Sequence, residues 1–246
     1  MSNPIVSREE WLKARLELLK KEKEYSKTRD ELTKSRQELP RVKIKKDYFF
    51  EGHTGKISLR NLFDGKSQLI VYHFMFEEDW SEGCKSCSFL ADHYEPAIIH
   101  LANRDVSMIT VSKAPLEKIE AFKKRMSWNF NWLSSHHSDF NRDFHVSFTC
   151  EEIQQGKGHY NFKESELFGT KEAPGISVFV LDKDGQIYHT YSAYARGLEN
   201  FLTAYHLLDI VPKGRNEGKF SYGMEWLHHK DRYGDETFID PYALKK

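Results

Sequence analysis

Residues 68–87 read QLIVYHFMF at 68–76, EEDWSEG at 77–83 and CKSC at 84–87. From Leu69 to Phe76 the run is apolar except for His73. A strand with one wet face would alternate, so this pattern predicts a central strand buried on both faces. The polar stretch 77–83 predicts a loop, and a helix is expected to begin close to Cys84 and to reach about Asn103. Cysteines three apart at a helix start lie about one turn from each other and can close a small disulfide ring with little backbone movement. Cys84, nearest the terminus, receives the unpaired N–H groups and the positive end of the helix dipole, which favours the attacking thiolate form. Lys85 adds a nearby positive charge. Cys87, one turn deeper, is expected to stay protonated until it resolves a mixed disulfide.

Downstream, Val106–Val111 reads as a second buried strand, Pro115 opens a helix to about Met126, and Phe130–Leu133 is a short extended piece. Strands alternating with helices imply parallel pairing and right-handed crossovers. Ile176–Leu181, the turn Asp182-Lys183-Asp184-Gly185 and Gln186–Tyr191 predict an antiparallel hairpin, and Gly197–Leu208 a closing helix. Upstream, Tyr48–Phe50 and Ile57–Leu62 flank the turn EGHTGK as another hairpin. The order hairpin, strand, helix, strand, helix, hairpin, helix is that of a thioredoxin-like α/β sandwich.

Three further segments surround this core. Residues 1–40 form a helical arm, opened by the Ser7/Glu10 capping box and closed by Pro40. Its apolar residues Trp11, Leu12, Leu16, Leu18 and Leu19 predict packing on its own domain or on a second copy, so a homodimer through this helix is one expectation. The domain proper spans 41–212 and includes an irregular insertion at 134–173, rich in His, Asn, Ser, Gly and charge. Residues 213–246 are expected as a tail packed on the domain.

Composition narrows the function classes. Among 246 residues, 37 Lys and Arg balance 37 Asp and Glu, which removes the basic face of a dedicated nucleic-acid binder. The apolar run at 69–76 is far short of the roughly 20 residues a membrane helix needs. The start MSNPIVSREEW passes straight into charged helix, with no signal-peptide core, so a soluble cytoplasmic protein is expected. Three cysteines are too few for a disulfide framework in a chain this long, and in a reducing compartment the Cys84/Cys87 pair points to catalysis or metal binding. A zinc site needs two more ligands, and the chain has no second C-x-x-C. His136, His137, His145 and His159, with Asp139 and Asp143, have the residue types of a metal or acid–base site, but they lack helical ligand spacing and an exposed polar loop explains them equally well. Cys150 has no partner visible in the sequence, and His73 reads as a core histidine. No cofactor is called for.

The stretch Trp80 to Cys87 resembles the thioredoxin active-site loop. More of the chain, from about Leu69 to Asp209, resembles an uncharacterised bacterial thioredoxin-like family, a domain of unknown function labelled predicted dithiol-disulfide oxidoreductase or isomerase. The residues that carry this are YHFMF at 72–76, GCKSCSF at 83–89, SDFN at 138–141 and YARG at 194–197. The hairpins before and after the core look more like the peroxiredoxin branch than thioredoxin itself. The resemblance implies that Trp80 and Ser81 flank a substrate groove beside Cys84 and Lys85. It also implies a buried carboxylate six residues before the first cysteine, which is Glu78, although Glu77 and Asp79 flank it and all three acids also fit a solvated loop. A cis-proline facing the cysteines would be Pro174, or Ser177 would take that place if the strand begins later.

On these residues the expected activity is thiol-disulfide exchange with protein or small-molecule disulfides, recycled by a reductant thiol system. The competing enzyme is a thiol peroxidase, for which Ser81 matches the loop hydroxyl while Glu77 stands where the proline belongs. A non-enzymatic metal-binding or docking module is the alternative from another class.

Overall fold

A computed structural model describes residues 3–167 and 169–234; residues 235–246 of the expected tail lie outside the described residues. The chain divides into two compact units, Met1–Arg41 and Val42–Lys246. The first is one helix, α1 (Arg8–Gln37), about 45 Å long at 1.5 Å per residue. Its start is satisfied reciprocally: Ser7 Oγ accepts the Glu10 N–H at 3.2 Å, and the Glu10 carboxylate accepts the Ser7 N–H at 2.9 Å.

In the second unit, β1 (Val42–Lys43) precedes the hairpin β2 (Phe49–Gly52) and β3 (Gly55–Ser58), then β4 (Gln68–His73), α2 (Lys85–Tyr94), α3 (Ile98–Ala102), β5 (Val106–Ser112), α4 (Leu116–Arg125) and β6 (Trp132–Ser134). Next come α5 (Phe140–Asp143), α6 (Cys150–Gln155), the hairpin of β7 (Lys157–Tyr160) with β8 (Lys163–Glu166), the hairpin of β9 (Gly175–Leu181) with β10 (Ile187–Tyr194), and α7 (Thr203–Leu208). Eight strands make one sheet in the order β1-β10-β9-β4-β5-β6-β2-β3, and β7-β8 stand apart as a ribbon. β4, β5 and β6 are parallel, while β9 runs antiparallel to β4. The core order β10-β9-β4-β5 is that of the thioredoxin-like sandwich. The added β2–β3 hairpin at the far edge gives it the peroxiredoxin-like build.

The doubly buried run at 68–76 explains why the core has two halves. Tyr72, Phe74 and Phe76 pack with Leu90 and Ala91 of α2, Ile119 and Phe122 of α4, and Trp132. Leu69 and Val71 join Ile109, Val111 and Phe179 in the other half, with Tyr48, Phe50, Phe140 and Phe144. Alternate side chains of one strand therefore feed opposite layers.

Three expectations change, the first being the closing helix at Gly197–Leu208, which splits into a 3-10 stretch at Ala195–Phe201 and α7. The helix foreseen from Cys84 to Asn103 is broken by a 3-10 turn at Glu95–Ala97, because Pro96 has no N–H to continue the ladder. The insertion at 134–173, expected to be irregular, carries α5, α6 and the β7–β8 ribbon. Its apolar side chains Val146, Phe148, Tyr160 and Ala173 form a small core with Tyr194. These are single, widely spaced apolar residues, so no periodicity reveals them in the sequence. No helix among the described residues is long and apolar enough to cross a membrane.

Candidate active site

β4 aims the chain at the head of α2. After His73 the backbone stays tied to the sheet through Phe74 N–H to Val111 O at 2.9 Å, and it returns through Cys84 N–H to Met75 O at 3.0 Å. Lys118 Nζ holds the intervening loop by donating to the carbonyls of Glu78 and Trp80 at 2.6 and 3.2 Å. Gly83 is required at this turn. A Cβ there would lie 2.7 Å from the Phe74 ring and 2.8 Å from the Phe122 ring.

Cys84 is the N-cap residue of α2, and its carbonyl accepts the Ser88 N–H at 2.8 Å. The Cys87 thiol, helped by the N–H groups of Cys87 and Ser86 and by the Lys85 charge, holds the Cys84 thiol below its ordinary pKa against the opposing effect of burial. Cys87 is 2% exposed, and burial together with the neighbouring Cys84 pushes its pKa well up. The two thiols are close neighbours and are not bonded to each other. Two groups work in the opposite direction on Cys87: the Tyr72 phenol, which interacts with the thiol, and the Met75 N–H, 3.5 Å from Sγ.

The remaining candidates divide. Trp80 lies half-buried against the core, and Ser81 is exposed on the same loop. Lys85, expected to line a groove, is 3% exposed. Its ammonium donates to the Glu225 carbonyl at 2.9 Å, beneath the C-terminal segment. Glu78 is not the buried acid: its side chain is 58% exposed and lies 3.1 Å from His136 Nδ1. The acid that turns inward is Glu77, 5% exposed, whose carboxylate accepts the Lys171 N–H at 2.7 Å and whose pKa is raised by burial. Along a loop that leaves a strand end, one position decides between core and solvent, which sequence counting does not resolve.

Pro174 immediately precedes β9, whose Gly175 pairs with His73 at the end of β4. It therefore stands at the sheet edge from which the cysteine loop departs. Among the described residues there is no cis peptide bond, so Ala173–Pro174 is trans. The Pro174 carbonyl accepts the Tyr160 hydroxyl at 2.7 Å. Ser177 does not share that edge: it lies inside β9, buried, with its hydroxyl 2.9 Å from His73 Nε2 and 3.2 Å from Ser192 Oγ. His73 stacks on Phe140 and Phe144, in the half of the core away from Tyr72.

Several neighbours of the pair escaped sequence reasoning. Tyr72 was visible only as one apolar-run residue, although a buried phenol must find a polar partner. His229, from the C-terminal segment, donates through Nε2 to the Gly83 carbonyl at 2.8 Å. The insertion histidines split into two ring pairs, His136 with His137 and His145 with His159. Among the described residues no group of three or more His, Cys, Asp or Glu side chains is arranged to hold a metal ion.

Strand order and a Cys-x-x-Cys at the head of the helix after the central strand define a thioredoxin-like α/β protein. The chain belongs to the family described as "Bacterial protein of unknown function (DUF899)", which matches residues 1–233. Comparison with curated proteins finds no match. Among solved structures it is similar to peroxidoxin BcpB from Mycobacterium tuberculosis, at 15% identity over 67% of this chain and 94% of that one, with a TM-score of 0.40. A peroxiredoxin Q from Xanthomonas campestris aligns at 13% identity over 68% and 93%, with a TM-score of 0.42. A thiol:disulfide interchange protein from Bacteroides sp. aligns at 12% identity over 74% and 99%, with a TM-score of 0.38.

Proposed function

We propose that the protein is a thiol-disulfide oxidoreductase in which Cys84 attacks a substrate disulfide and Cys87 resolves the mixed disulfide. The observation that carries this reading is the asymmetry of the pair. Cys84 caps a helix and is held toward thiolate, while its partner one turn deeper is buried and held as thiol. A reactive first thiol and a protected second one suit a two-step exchange, since the second must not react before the first has captured substrate. Trp80 and Ser81 would border the incoming disulfide, with Pro174 across the sheet edge. A thiol system external to the chain would return the pair to the dithiol.

The test compares two variants in lysate, with disulfide-linked partners eluted by reductant. Cys87→Ser is expected to retain mixed disulfides on Cys84, because the group that would release them is gone, and Cys84→Ser is expected to retain none. Equal yields from the two variants would remove these roles. Peroxide consumption without disulfide reduction would replace the reading with a thiol peroxidase one.

A further inference from the structure

We propose that the substrate of the Cys84/Cys87 pair is a low-molecular-weight disulfide, and that the insertion excludes polypeptide disulfides by occupying the backbone edge on which an extended chain would dock beside the cysteines. This rests on the reading of Cys84 and Cys87 as an exchanging dithiol. A polypeptide carries its disulfide on a stretch of backbone, and a sheet holds such a stretch by pairing it as an added strand, through free N–H and C=O groups at an edge. Beside the cysteine loop that edge is residues 171–174, which lead into β9. The Lys171 N–H donates to the Glu77 carboxylate at 2.7 Å, and the Lys171 ammonium is 3.9 Å from Asp79, so the two segments lie against each other.

The insertion already fills this edge as a strand would. Ser147 bridges Glu172 in antiparallel fashion, the Ala173 N–H donates to the Val146 carbonyl at 2.9 Å, and the Phe148 N–H donates to the Lys171 carbonyl at 2.8 Å. The Glu172 carbonyl accepts the Thr170 hydroxyl at 2.9 Å. Pro174 has no N–H to offer, and its carbonyl accepts the Tyr160 hydroxyl of the β7–β8 ribbon at 2.7 Å. Val146, Phe148, Tyr160 and Ala173 are buried together, so this cover is packed in place. The C-terminal segment meanwhile holds the cysteine turn through Lys85 and His229. With the loop before it tied to the insertion and the turn around it tied to that segment, Cys84 keeps partial exposure. Partial exposure admits a sulfur with a small substituent, whereas an extended chain finds its backbone partners taken.

In the exchange the Cys84 thiolate attacks one sulfur of the small disulfide. The bond from Cys84 to that sulfur forms, the substrate disulfide bond breaks, and the departing sulfur keeps the electron pair and takes up a proton. Cys87 then loses its proton and attacks Cys84 Sγ, which forms the Cys84–Cys87 bond and releases the second small thiol in the same way. The substrate is reduced by two electrons and the dithiol is oxidised by the same two. An external thiol reductant restores the dithiol.

The experiment follows formation of the Cys84–Cys87 disulfide in reduced full-length protein, in a Cys150→Ser background because Cys150 is exposed. The oxidants are hydroxyethyl disulfide and the symmetric disulfide of an unstructured peptide with one central cysteine. Each rate is divided by that of N-acetylcysteine with the same oxidant, which cancels the oxidant's own reactivity. A docking peptide must displace at least one covering hydrogen bond, so its normalised rate is expected to fall roughly tenfold below that of hydroxyethyl disulfide. Tyr160→Phe keeps the ring and uncovers the Pro174 carbonyl, and it should raise the peptide rate several-fold with no change for hydroxyethyl disulfide. Equal normalised rates, or a higher one for the peptide, overturn the proposal and leave the dithiol reading standing. A folded Tyr160→Phe protein whose two rates match those of the parent also overturns it. Failure of either oxidant to produce the Cys84–Cys87 disulfide overturns the dithiol reading, and the proposal with it.

Discussion

Cys84 and Cys87 are the same residue type three positions apart, and their difference in character comes from what surrounds each thiol. Cys84 sits where the first turn of α2 presents unpaired N–H groups, while Cys87 is buried beneath it among Tyr72, Leu90 and Ala91. Burial raises a thiol pKa, and a donor lowers it. For Cys84 the donors prevail and for Cys87 burial prevails. With Cys150→Ser as background, limiting iodoacetamide should alkylate Cys84 before Cys87, with a pH midpoint below the free-thiol value of about 8.5. Peptide mass spectrometry across pH checks this, and labelling of Cys87 first would contradict it.

At the scale of elements, the cysteine turn is gripped from both sides. Residues 74–76 and Lys118 hold it from the sheet and α4, and the C-terminal segment holds it through Lys85 to Glu225 O and His229 to Gly83 O. The turn closes so tightly that Gly83 has no room for a methyl group between the Phe74 and Phe122 rings. Gly83→Ala is therefore expected to cost about 1–3 kcal/mol, the usual range for overpacking. Urea titration measures it, and a loss below about 0.5 kcal/mol would mean that the two rings yield without strain.

Across the whole second unit, a polar joint ties the insertion to the sheet. Glu172 is 3% exposed, accepts from Asn141 Nδ2 at 3.0 Å and from the Ser147 hydroxyl, and follows Lys171, whose N–H is held by Glu77. Burial pushes the Glu172 carboxyl from 4.5 up to about 8. The unfolded chain then releases this proton near pH 4.5 while the folded one keeps it until about pH 8, so the stability this group contributes is full at low pH and lost as pH rises through that window. The buried His73, whose pKa burial lowers to about 3, gives the opposite slope up to about pH 6.5, so the test is the difference: relative to the unsubstituted protein, Glu172→Gln should gain urea stability as pH rises from 5 to 8, by on the order of a few kcal/mol. Identical slopes in the two proteins would remove Glu172 as the cause.

Local chemistry alone determined the central strand, the helix start at Cys84, the capping box of α1 and the β9–β10 hairpin. Periodicity, caps and turn residues act between near neighbours, and they are written in the order of the residues. Pro96 and the apolar residues of the insertion show where that reading stops: the first broke an expected helix, and the second found their partners across the chain. Tertiary structure alone decided that Glu77 rather than Glu78 turns inward, that Ser177 faces His73, that Lys85 lies beneath the tail, and that Tyr72 shares the Cys87 half of the core. Each of these depends on which face of a strand or loop meets which layer, and one residue of register reverses the answer.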